Sequence, residues 1–236
     1  MVRYKGLKTL EILQWAHKYN RWISQQILPY CLSPLLELGS GTGNITQYLT
    51  QFQTVYASDI DTGLLLLLKK KFRHKKNIRV IRFDAEKKVT ARFKSAFSSV
   101  VSVNVFEHLE DDQKAIKNVH YVLKKNGRLI LLVPAKQFAL TRLDRELGHF
   151  RRYEKKQLEI TLKKEGFVLE KLYFFNFLGL LSWIVRDRIE RKRTGLKRYQ
   201  IFVFDNIVPF LALVEKFIKP PLGISLVAIA RKSTKR

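Results

Sequence analysis

Residues 35–44 read LLELGSGTGN, and this stretch decides the fold. Residues 35–38 are an apolar run that contains one acid, a pattern typical of a buried parallel strand. Three glycines follow, and a helical period begins at Ile45. A strand, a glycine turn and a helix form the arrangement in which backbone N–H groups at a helix start meet a ligand. We therefore expect a ligand site at this turn.

The spacing of the glycines limits what the ligand can be. They follow the pattern G-x-G-x-G, at Gly39, Gly41 and Gly43. The dinucleotide fingerprint G-x-G-x-x-G needs a third glycine at Asn44 or Thr46, and neither position holds one. The carboxylate of Glu37 beside the turn would repel phosphate and could pair with an amine. Both observations disfavour a cofactor bound through its pyrophosphate.

Two further strands end in acids. Residues 54–58 lead to Asp59, and residues 77–83 lead to Asp84. An acid at the end of the second strand can accept hydrogen bonds from both ribose hydroxyls. A short acid after the third strand can bind the exocyclic amine of adenine. The alternatives are that Asp59 caps a helix and that Asp84 closes a turn. Three polar strand ends in register favour a nucleoside-shaped ligand.

Composition places the chain in a broad class. The 236 residues are 46% hydrophobic, enough for one large domain. We expect neither a spanning helix nor a signal peptide, because no long uncharged apolar run occurs. The lone Cys31 excludes an internal disulfide framework and a cysteine-based metal cluster, so we predict no metal and a cytoplasmic, reducing location. A net charge of +25 predicts attraction to nucleic acid, an anionic membrane or phosphorylated substrates.

Residues 33–135 carry a series of motifs. They read LELGSGTGN, SDID, FDAE, SVNVFEHL and HYVLKKNGRLILLVPA. As a set they resemble the successive motifs of class I S-adenosylmethionine-dependent methyltransferases. The resemblance implies an α/β, Rossmann-like, seven-stranded and mostly parallel sheet with helices on both faces and an antiparallel last strand. We expect a single methyltransferase domain over 1–236, divided into a helical cap (1–30), a cofactor-binding core (33–135), a substrate loop (140–153), a helical insertion (174–221) and a last strand with a basic tail (222–236).

The same resemblance implies a cofactor, S-adenosyl-L-methionine, and the residues that bind it. The glycines would line its methionine and ribose portions, and Glu37 would lie near its amino group. Asp59 would hold the ribose, Ile60 would pack on adenine, and Asn104 would offer its backbone carbonyl to the methionine amine. The adenine edge would be read by Asp84 and Ala85.

The glycine turn with SDID also resembles the ribosomal RNA adenine dimethylases. Those enzymes have an N-[IL]-P-[YF] stretch after the fourth strand, whereas this chain reads SVNVFEH there, without proline. Cys31 precedes the first strand, so no Pro-Cys nucleophile is present either. Base methylation is therefore disfavoured. An RNA-binding methyltransferase and a non-catalytic cofactor-binding subunit remain the alternative functions.

Residues 140–153, LTRLDRELGHFRRY, follow the fifth strand and predict a substrate loop. Adjacent arginines beside a histidine and a tyrosine can bind phosphate or carboxylate; the alternative is a solvated charged loop. The pattern D-x-x-[LF]-G-H-x-R-R-Y, with YNRW at 19–22 and PLGIS at 221–225, resembles a bacterial subgroup that accompanies glycosyltransferases of lipid-linked sugars. We predict His149, then His108, as the catalytic base. The predicted substrate-binding residues are Tyr19, Asp144, Arg151, Arg152 and Tyr153.

The insertion combines apolar and basic segments. Residues 174–185 read FFNFLGLLSWIV, residues 186–198 hold seven basic residues against two acids, and 201–218 are apolar again. This pattern favours a helix pair in an anionic membrane interface, against a helical cap or a dimer face. We therefore expect O-methylation of a small or lipid-linked, anionic substrate, by an enzyme peripheral to the inner face of the membrane. The sequence does not indicate the oligomeric state.

Overall fold

The computed structural model describes residues 7–189, 198–218 and 220–233. The strands are β1 Leu35–Leu38, β2 Val55–Asp59, β3 Ile78–Arg82, β4 Phe97–Val103, β5 Leu123–Pro134, β6 Phe167–Phe175 and β7 Ser225–Lys232. The α-helices in the described ranges are α1 Leu7–Leu13, α2 His17–Ile27, α3 Thr46–Leu49, α4 Thr62–Lys71, α5 Asp112–Val122, α6 Arg142–Leu147, α7 Lys155–Lys164, α8 Phe177–Ile189 and α9 Arg198–Phe217.

The strands form one sheet in the order β3-β2-β1-β4-β5-β7-β6. Neighbouring strands from β3 to β5 are parallel, and β7 runs antiparallel to both β5 and β6. Helices α8 and α9 lie between β6 and β7 in the chain. The predicted fold class is therefore confirmed: a Rossmann-like, mostly parallel seven-stranded sheet with an antiparallel last strand and a helical insertion before it.

Both faces of the sheet are covered, which explains the continuous apolar runs of its central strands. Along β5, Leu129 and Leu131 pack into one core cluster, while Ile130 and Leu132 pack into the other. This alternation follows from the two-residue period of a strand. The first cluster includes residues of α5 and α7, and the second includes residues of α2 and α9. Helices α2 and α9 thus cover one face together.

The strand order places the predicted ligand site at a topological switch point. From β1 the chain moves outward to β2 and β3, and then returns to β4 on the other side of β1. The connections that leave β1 and β4 therefore diverge, and a crevice opens at the carboxyl ends of these strands. Ligands of open parallel sheets bind in such a crevice.

Two acids that interrupt the apolar pattern of α9 bind the starts of other helices. Asp205 accepts hydrogen bonds from the backbone N–H groups of Lys18 and Tyr19 at 3.2 and 2.8 Å. Glu215 accepts two backbone N–H groups at the start of α8 at 2.9 and 2.6 Å. The first N–H groups of a helix have no partner within it, so these carboxylates satisfy them. The inner side of α9 is thereby fixed to α2 and α8.

One predicted boundary is wrong. The dipeptide Asn126-Gly127 predicts a turn before a strand that starts at Arg128, but β5 begins at Leu123. Asn126 adopts a left-handed conformation with φ of 61°, and the pairing of β4 with β5 shifts register between Phe97 and Ser99. The turn-forming residues therefore make an irregularity within a longer strand.

In the described parts of the chain, no helix has the length and apolar character needed to cross a bilayer. Most of the basic segment at 186–198 falls on residues 190–197, which lie outside the described residues.

Candidate functional site

The glycine turn passes close beneath the segment that follows β4. Gly39 has a φ of +65°, and a Cβ atom there would lie 2.4 Å from Cγ2 of Val105. Only glycine permits both the conformation and this approach. The backbone N–H of Ser40 donates to the carbonyl of Ser58 at 2.8 Å, which ties the turn to β2. The turn is therefore a fixed backbone cradle between β1, β2 and the end of β4.

Glu37 lies under this cradle and holds it from below. Its side chain is buried, and its Oε2 accepts hydrogen bonds from Ser40 Oγ at 2.8 Å and from Thr46 Oγ1 at 2.6 Å. Burial raises the pKa of Glu37 to about 7, although the two hydroxyl donors oppose this rise. Because Ser40 precedes the last glycines and Thr46 begins α3, Glu37 fixes both ends of the turn.

Asp59 stands at the end of β2 beside the cradle, and it does not cap the next helix. Its Oδ2 accepts the backbone N–H of Gly41 at 3.0 Å, and its Oδ1 accepts that of Asp61 at 3.0 Å. Asp61 is the residue that caps α4. Burial raises the pKa of Asp59, and these backbone donors lower it. The carboxylate keeps further lone pairs on both oxygens, as binding of ribose hydroxyls requires.

Asp84 and Ala85 lie at the end of β3, next to β2. Asp84 Oδ1 accepts the backbone N–H of Glu86 at 3.0 Å, so this acid closes a turn as well as lying at a strand end. The carbonyl of Ala85 accepts a hydrogen bond from Asn118 Nδ2 at 2.7 Å. Adenine recognition by Asp84 therefore stays a prediction.

Asn104 and Ile60 lie at the same carboxyl-terminal edge of the sheet as the glycine cradle. Asn104 has a φ of 52°, and its N–H donates to the carbonyl of Leu132 at 2.8 Å, which orients the chain as it leaves β4. Ile60 exposes 58% of its surface, unusual for a large apolar residue and suited to packing on a flat ring. These positions and the glycine cradle fit a nucleoside that carries an amino acid.

Part of the N-terminal region lies over the cradle. A Cβ atom at Gly41 would lie 3.3 Å from Cδ1 of Leu10, and Asn44 Nδ2 donates to the carbonyl of Leu10 at 3.3 Å. Tyr19 packs edge-on against Phe204 at 5.4 Å, between α2 and α9. Burial raises the pKa of its hydroxyl. A substrate could contact Tyr19 only by displacing part of the packing between α2 and α9.

Arg152 and Asp144 form a buried ion pair in the loop after β5. Nε and Nη2 of Arg152 donate to the two oxygens of Asp144 at 3.1 and 2.9 Å, and Nη1 donates to the carbonyl of Ala135 at 3.2 Å. Thr141 and Asp144 form a capping box that starts α6. Burial alone would raise the pKa of Asp144, but His149 and Arg152 hold it below its usual range. An incoming oxyanion would have to compete with Asp144 for Arg152.

Arg151 and Tyr153 contact a different acid. Arg151 Nη1 lies 3.0 Å from Asp112 Oδ1, and the Tyr153 hydroxyl donates to Asp112 Oδ2 at 2.8 Å. Burial raises the pKa of Tyr153, and the neighbouring carboxylate of Asp112 raises it further. These contacts hold the loop against the residues that follow β4. The three side chains predicted to bind substrate at 151–153 thus all make bonds within the protein.

The same packing creates a histidine–glutamate cluster of Glu107, His108 and His149. The two imidazole rings meet edge to face at 4.6 Å. His149 Nδ1 lies 2.8 Å from Asp144 Oδ1, and this contact helps to keep the pKa of Asp144 below its usual range. Burial lowers the pKa of His108 to about 4, and the charge of His149 adds to this effect.

Glu107 is the residue that the sequence analysis left out of the site. Its surface is 0% exposed, and neither carboxylate oxygen has a hydrogen-bond partner among the described residues. Burial raises its pKa to about 7, while the charge of His149 lowers it. The E-H pair after the fourth strand and the G-H pair in the substrate loop were visible in the sequence. The sequence did not show that His149 contacts His108 beside Glu107, because this contact depends on how the loop folds over the sheet.

Comparison with protein families gives one match. Residues 36–131 match the family described as a methyltransferase domain. No curated protein matches the chain.

Similar solved structures cover most of the chain. The YcgJ protein of Bacillus subtilis is 17% identical with a TM-score of 0.62, over 92% of this chain and 100% of that chain. The [4+2]-cyclase SpnF is 14% identical with a TM-score of 0.62, over 93% and 82%. Phosphoethanolamine N-methyltransferase 2 of Haemonchus contortus, in complex with S-adenosyl-L-methionine, is 18% identical with a TM-score of 0.57, over 85% and 48%. At these identities the likeness is one of fold. Together with the domain match, the fold supports a class I S-adenosylmethionine-dependent methyltransferase.

Proposed function

We propose that this class I methyltransferase methylates an oxygen atom of a small or lipid-linked, anionic substrate at a membrane surface. The observation that carries the proposal is the apolar outer face of α8 and α9 in a chain of net charge +25. The cofactor assignment rests on the cradle described above and on the domain match.

The apolar outer face of α8 and α9 is the side of the insertion that points away from the sheet. Its exposed members include Leu181, Val185, Phe202, Ile207, Phe210 and Phe217. Phe210, Leu213 and Phe217 recur every three or four residues, so they share one side of α9. Asp205 and Glu215 hold the opposite side, so α9 cannot turn this face inward without breaking two helix caps.

The charge near this face suits an anionic surface. Among the side chains that the structure describes on these helices, Arg188, Arg198 and Lys216 are basic and exposed. Burying apolar side chains in an interface contributes about 0.8 kcal/mol per CH₂, and each nearby basic group adds about 1 kcal/mol on an anionic leaflet. Apolar and electrostatic attraction together favour a membrane over a dimer face or a solvated cap. Binding to the membrane would then bring the enzyme to the surface that carries a lipid-linked acceptor.

Several side chains would hold the cofactor. Gly39 allows the backbone to approach it, Asp59 would accept from its ribose, and Ile60 would cover its adenine. When bound, S-adenosylmethionine supplies an electrophilic methyl group for in-line transfer. The protein then contributes chiefly by aligning the acceptor oxygen with that methyl group. For a hydroxyl acceptor, we assign proton acceptance to His149, with His108 as the second candidate.

Two alternatives each have an observation in their favour. The net charge of +25 favours an RNA-binding methyltransferase that uses its basic surface for phosphate contacts. The fold is also that of SpnF, a [4+2]-cyclase, so the fold alone does not imply methyl transfer, and the second alternative is a non-catalytic cofactor-binding subunit. Incubation with labelled cofactor and fractionated lipid, RNA and soluble extract separates the three. Stoichiometric, site-specific labelling of RNA would overturn the lipid proposal.

The membrane contact is tested by co-sedimentation with vesicles. We expect binding to phosphatidylglycerol vesicles, weak binding to neutral lipid and release by high salt. Phe210→Ser with Phe217→Ser should release the protein, whereas Leu66→Ser, an equally exposed change on α4, should not. Arg191, Lys192 and Arg193 reversed to Glu should act like the phenylalanine pair. Wild-type protein that stays in the supernatant with anionic vesicles would refute the proposal.

The cofactor assignment is tested by calorimetry with S-adenosylmethionine. Asp59→Ala should weaken binding by about 1–3 kcal/mol, because the ribose hydroxyls lose their acceptor. Asp61→Ala removes a helix cap two residues away and should leave the affinity unchanged. NAD should not compete. Equal affinity in the Asp59 variant and the wild type would contradict the assignment.

A further inference from the structure

We propose that Glu107, His108 and His149 bind a divalent transition-metal cation. Their ligand atoms all lie within 4.8 Å of one another. Two imidazoles and one carboxylate form a donor set that suits Zn²⁺, Mn²⁺, Fe²⁺, Co²⁺ or Ni²⁺. Mg²⁺ and Ca²⁺ are disfavoured, because they prefer oxygen ligands alone. The site does not depend on the identity of the methyl acceptor.

The first argument is the state of Glu107. A buried carboxylate normally accepts hydrogen bonds or pairs with a charge, because its desolvation is costly. Glu107 is fully buried, and its two oxygens have no hydrogen-bond partner in the described ranges 7–189, 198–218 and 220–233. Glu37 is equally buried but accepts two hydroxyl groups. A cation bound between the rings would supply what Glu107 lacks.

The second argument is the support behind the histidines. His149 Nδ1 faces Asp144 Oδ1 at 2.8 Å, which leaves Nε2 to bind a cation. The backbone of Gly148 forms a hydrogen bond with His108, which fixes the orientation of its ring. Asp144 is itself fixed by Arg152 and by the backbone N–H of Thr141 at 2.7 Å. A carboxylate behind a histidine is the usual outer support of a metal-bound imidazole.

The third argument is access and size. The side chain of His149 is 11% exposed whereas Glu107 is fully buried, so the cluster reaches solvent at the edge that carries His149. Ligands about 2.0–2.2 Å from one ion lie closer together than 4.8 Å, so small side-chain rotations would have to close the site. The loop carrying His149 is tied to the segment carrying Glu107, since Phe150 N donates to the carbonyl of Glu107 at 2.8 Å. The ligands thus come from two connected segments.

The cation would also have a role in the proposed reaction. Three protein ligands leave open coordination positions, where an anionic acceptor oxygen can bind. This second step rests on the function proposed above, whereas cation binding does not. Proton acceptance by His149 or His108, as assigned above, applies to the protein without the cation; with the cation bound, both imidazoles hold it and position the acceptor.

The test is titration of the chelator-treated, full-length protein with Co²⁺, followed by visible absorption and equilibrium dialysis, without cofactor or substrate. We expect one equivalent of Co²⁺ with a d–d spectrum, displaced by Zn²⁺. Glu107→Gln and His149→Gln should each weaken binding at least tenfold. His74→Gln, which changes an exposed histidine outside the cluster, should bind like the wild type.

Each result decides the proposal. Circular dichroism checks that the variants fold, and His108→Gln supplies a third ligand variant if one of them fails. Wild-type protein that binds no Co²⁺ would overturn the proposal. Equal binding by folded wild-type and cluster variants would place the cation elsewhere and overturn it too. In either case, methyl transfer and vesicle binding would still test the proposed function independently.

Discussion

Glu37 and Glu107 are two buried glutamates near the carboxyl ends of adjacent strands, yet their surroundings differ. Glu37 lies within β1 and accepts hydrogen bonds from Ser40 and Thr46. Glu107 lies beyond β4 and has no hydrogen-bond partner in the described part of the chain. Burial raises the pKa of both to about 7. The first carboxyl group supports the glycine cradle, and the second is a ligand of the cation site proposed above.

The difference follows from what each carboxyl group must do. A side chain that only supports a turn is best satisfied within the protein, because an unpaired buried group costs free energy. A side chain that binds a ligand has to keep its lone pairs available, at a cost in stability. The comparison therefore predicts opposite responses to substitution, and the following variants test it from the largest expected effect to the smallest.

The largest effect should come from Arg152→Met, which would turn Asp144 into a second carboxylate without its main partner. Breaking a buried ion pair costs about 3–5 kcal/mol of unfolding free energy. Arg151→Met is the matched control and should cost about 1 kcal/mol or less, since its side chain is partly exposed and Asp112 keeps the hydroxyl of Tyr153. Urea denaturation measures both. Equal losses would mean that the Arg152 pair contributes no more than a surface contact.

The direct comparison is Glu37→Leu against Glu107→Leu. The first variant leaves two buried hydroxyl groups without their acceptor and should lose about 2–4 kcal/mol. The second removes a desolvated carboxylate without a partner, so the unfolding free energy should stay constant or increase when a chelator is present. Denaturation in chelator measures both variants. A similar loss of unfolding free energy in both variants would show that the Glu107 carboxyl group has a hydrogen-bond partner in solution. The two glutamates would then not differ.

The pH dependence of Glu37→Gln tests the buried carboxyl group itself. The folded chain keeps a proton on Glu37 up to a pKa of about 7, whereas the unfolded chain releases it near 4.5. The wild type therefore loses stability as pH rises between these values, and the glutamine variant does not. The stability of Glu37→Gln relative to wild type should rise by about 1–3 kcal/mol from pH 5 to pH 7.

The control for this titration is Glu146→Gln, which changes an exposed glutamate on α6. Its stability relative to wild type should not change with pH over the same range. A relative stability of Glu37→Gln that is flat across the range would contradict the raised pKa of Glu37.

The smallest effect on stability is expected where Gly39, which follows β1, contacts Val105, which follows β4. Gly39→Ala should cost about 1–2 kcal/mol more than Gly148→Ala. Both glycines have positive φ, but a Cβ at Gly39 would strike Val105, whereas one at Gly148 meets nothing within 4 Å. The double variant Gly39→Ala with Val105→Ala should recover part of the difference. Thermal unfolding of the four proteins measures this, and no recovery would mean that the cost is conformational only.

Many elements of the fold could be predicted because they depend on residues that are close together in the sequence. The apolar run before Gly39, the helical period after Ile45 and the acids at Asp59 and Asp84 identified strands, a turn and their order. Strand periodicity and the fixed reach of a short loop determine these features within a few residues. The error at Asn126 has the same origin, because a turn-forming residue can also make a bulge inside a strand.

The sequence by itself determined the strand–turn–helix unit, the polar strand ends and the amphipathic insertion, because each depends on neighbours along the chain. Only the tertiary structure decided which polar groups have partners. It paired Arg152 with Asp144 and brought His149 against His108, and no residue that the structure describes hydrogen-bonds to the carboxylate of Glu107. The two histidines lie on separate segments of the chain, and their contact depends on how the loop after β5 packs over the sheet. Residue type and spacing do not specify that packing, so the satisfaction of a buried charge could be read only from the folded chain.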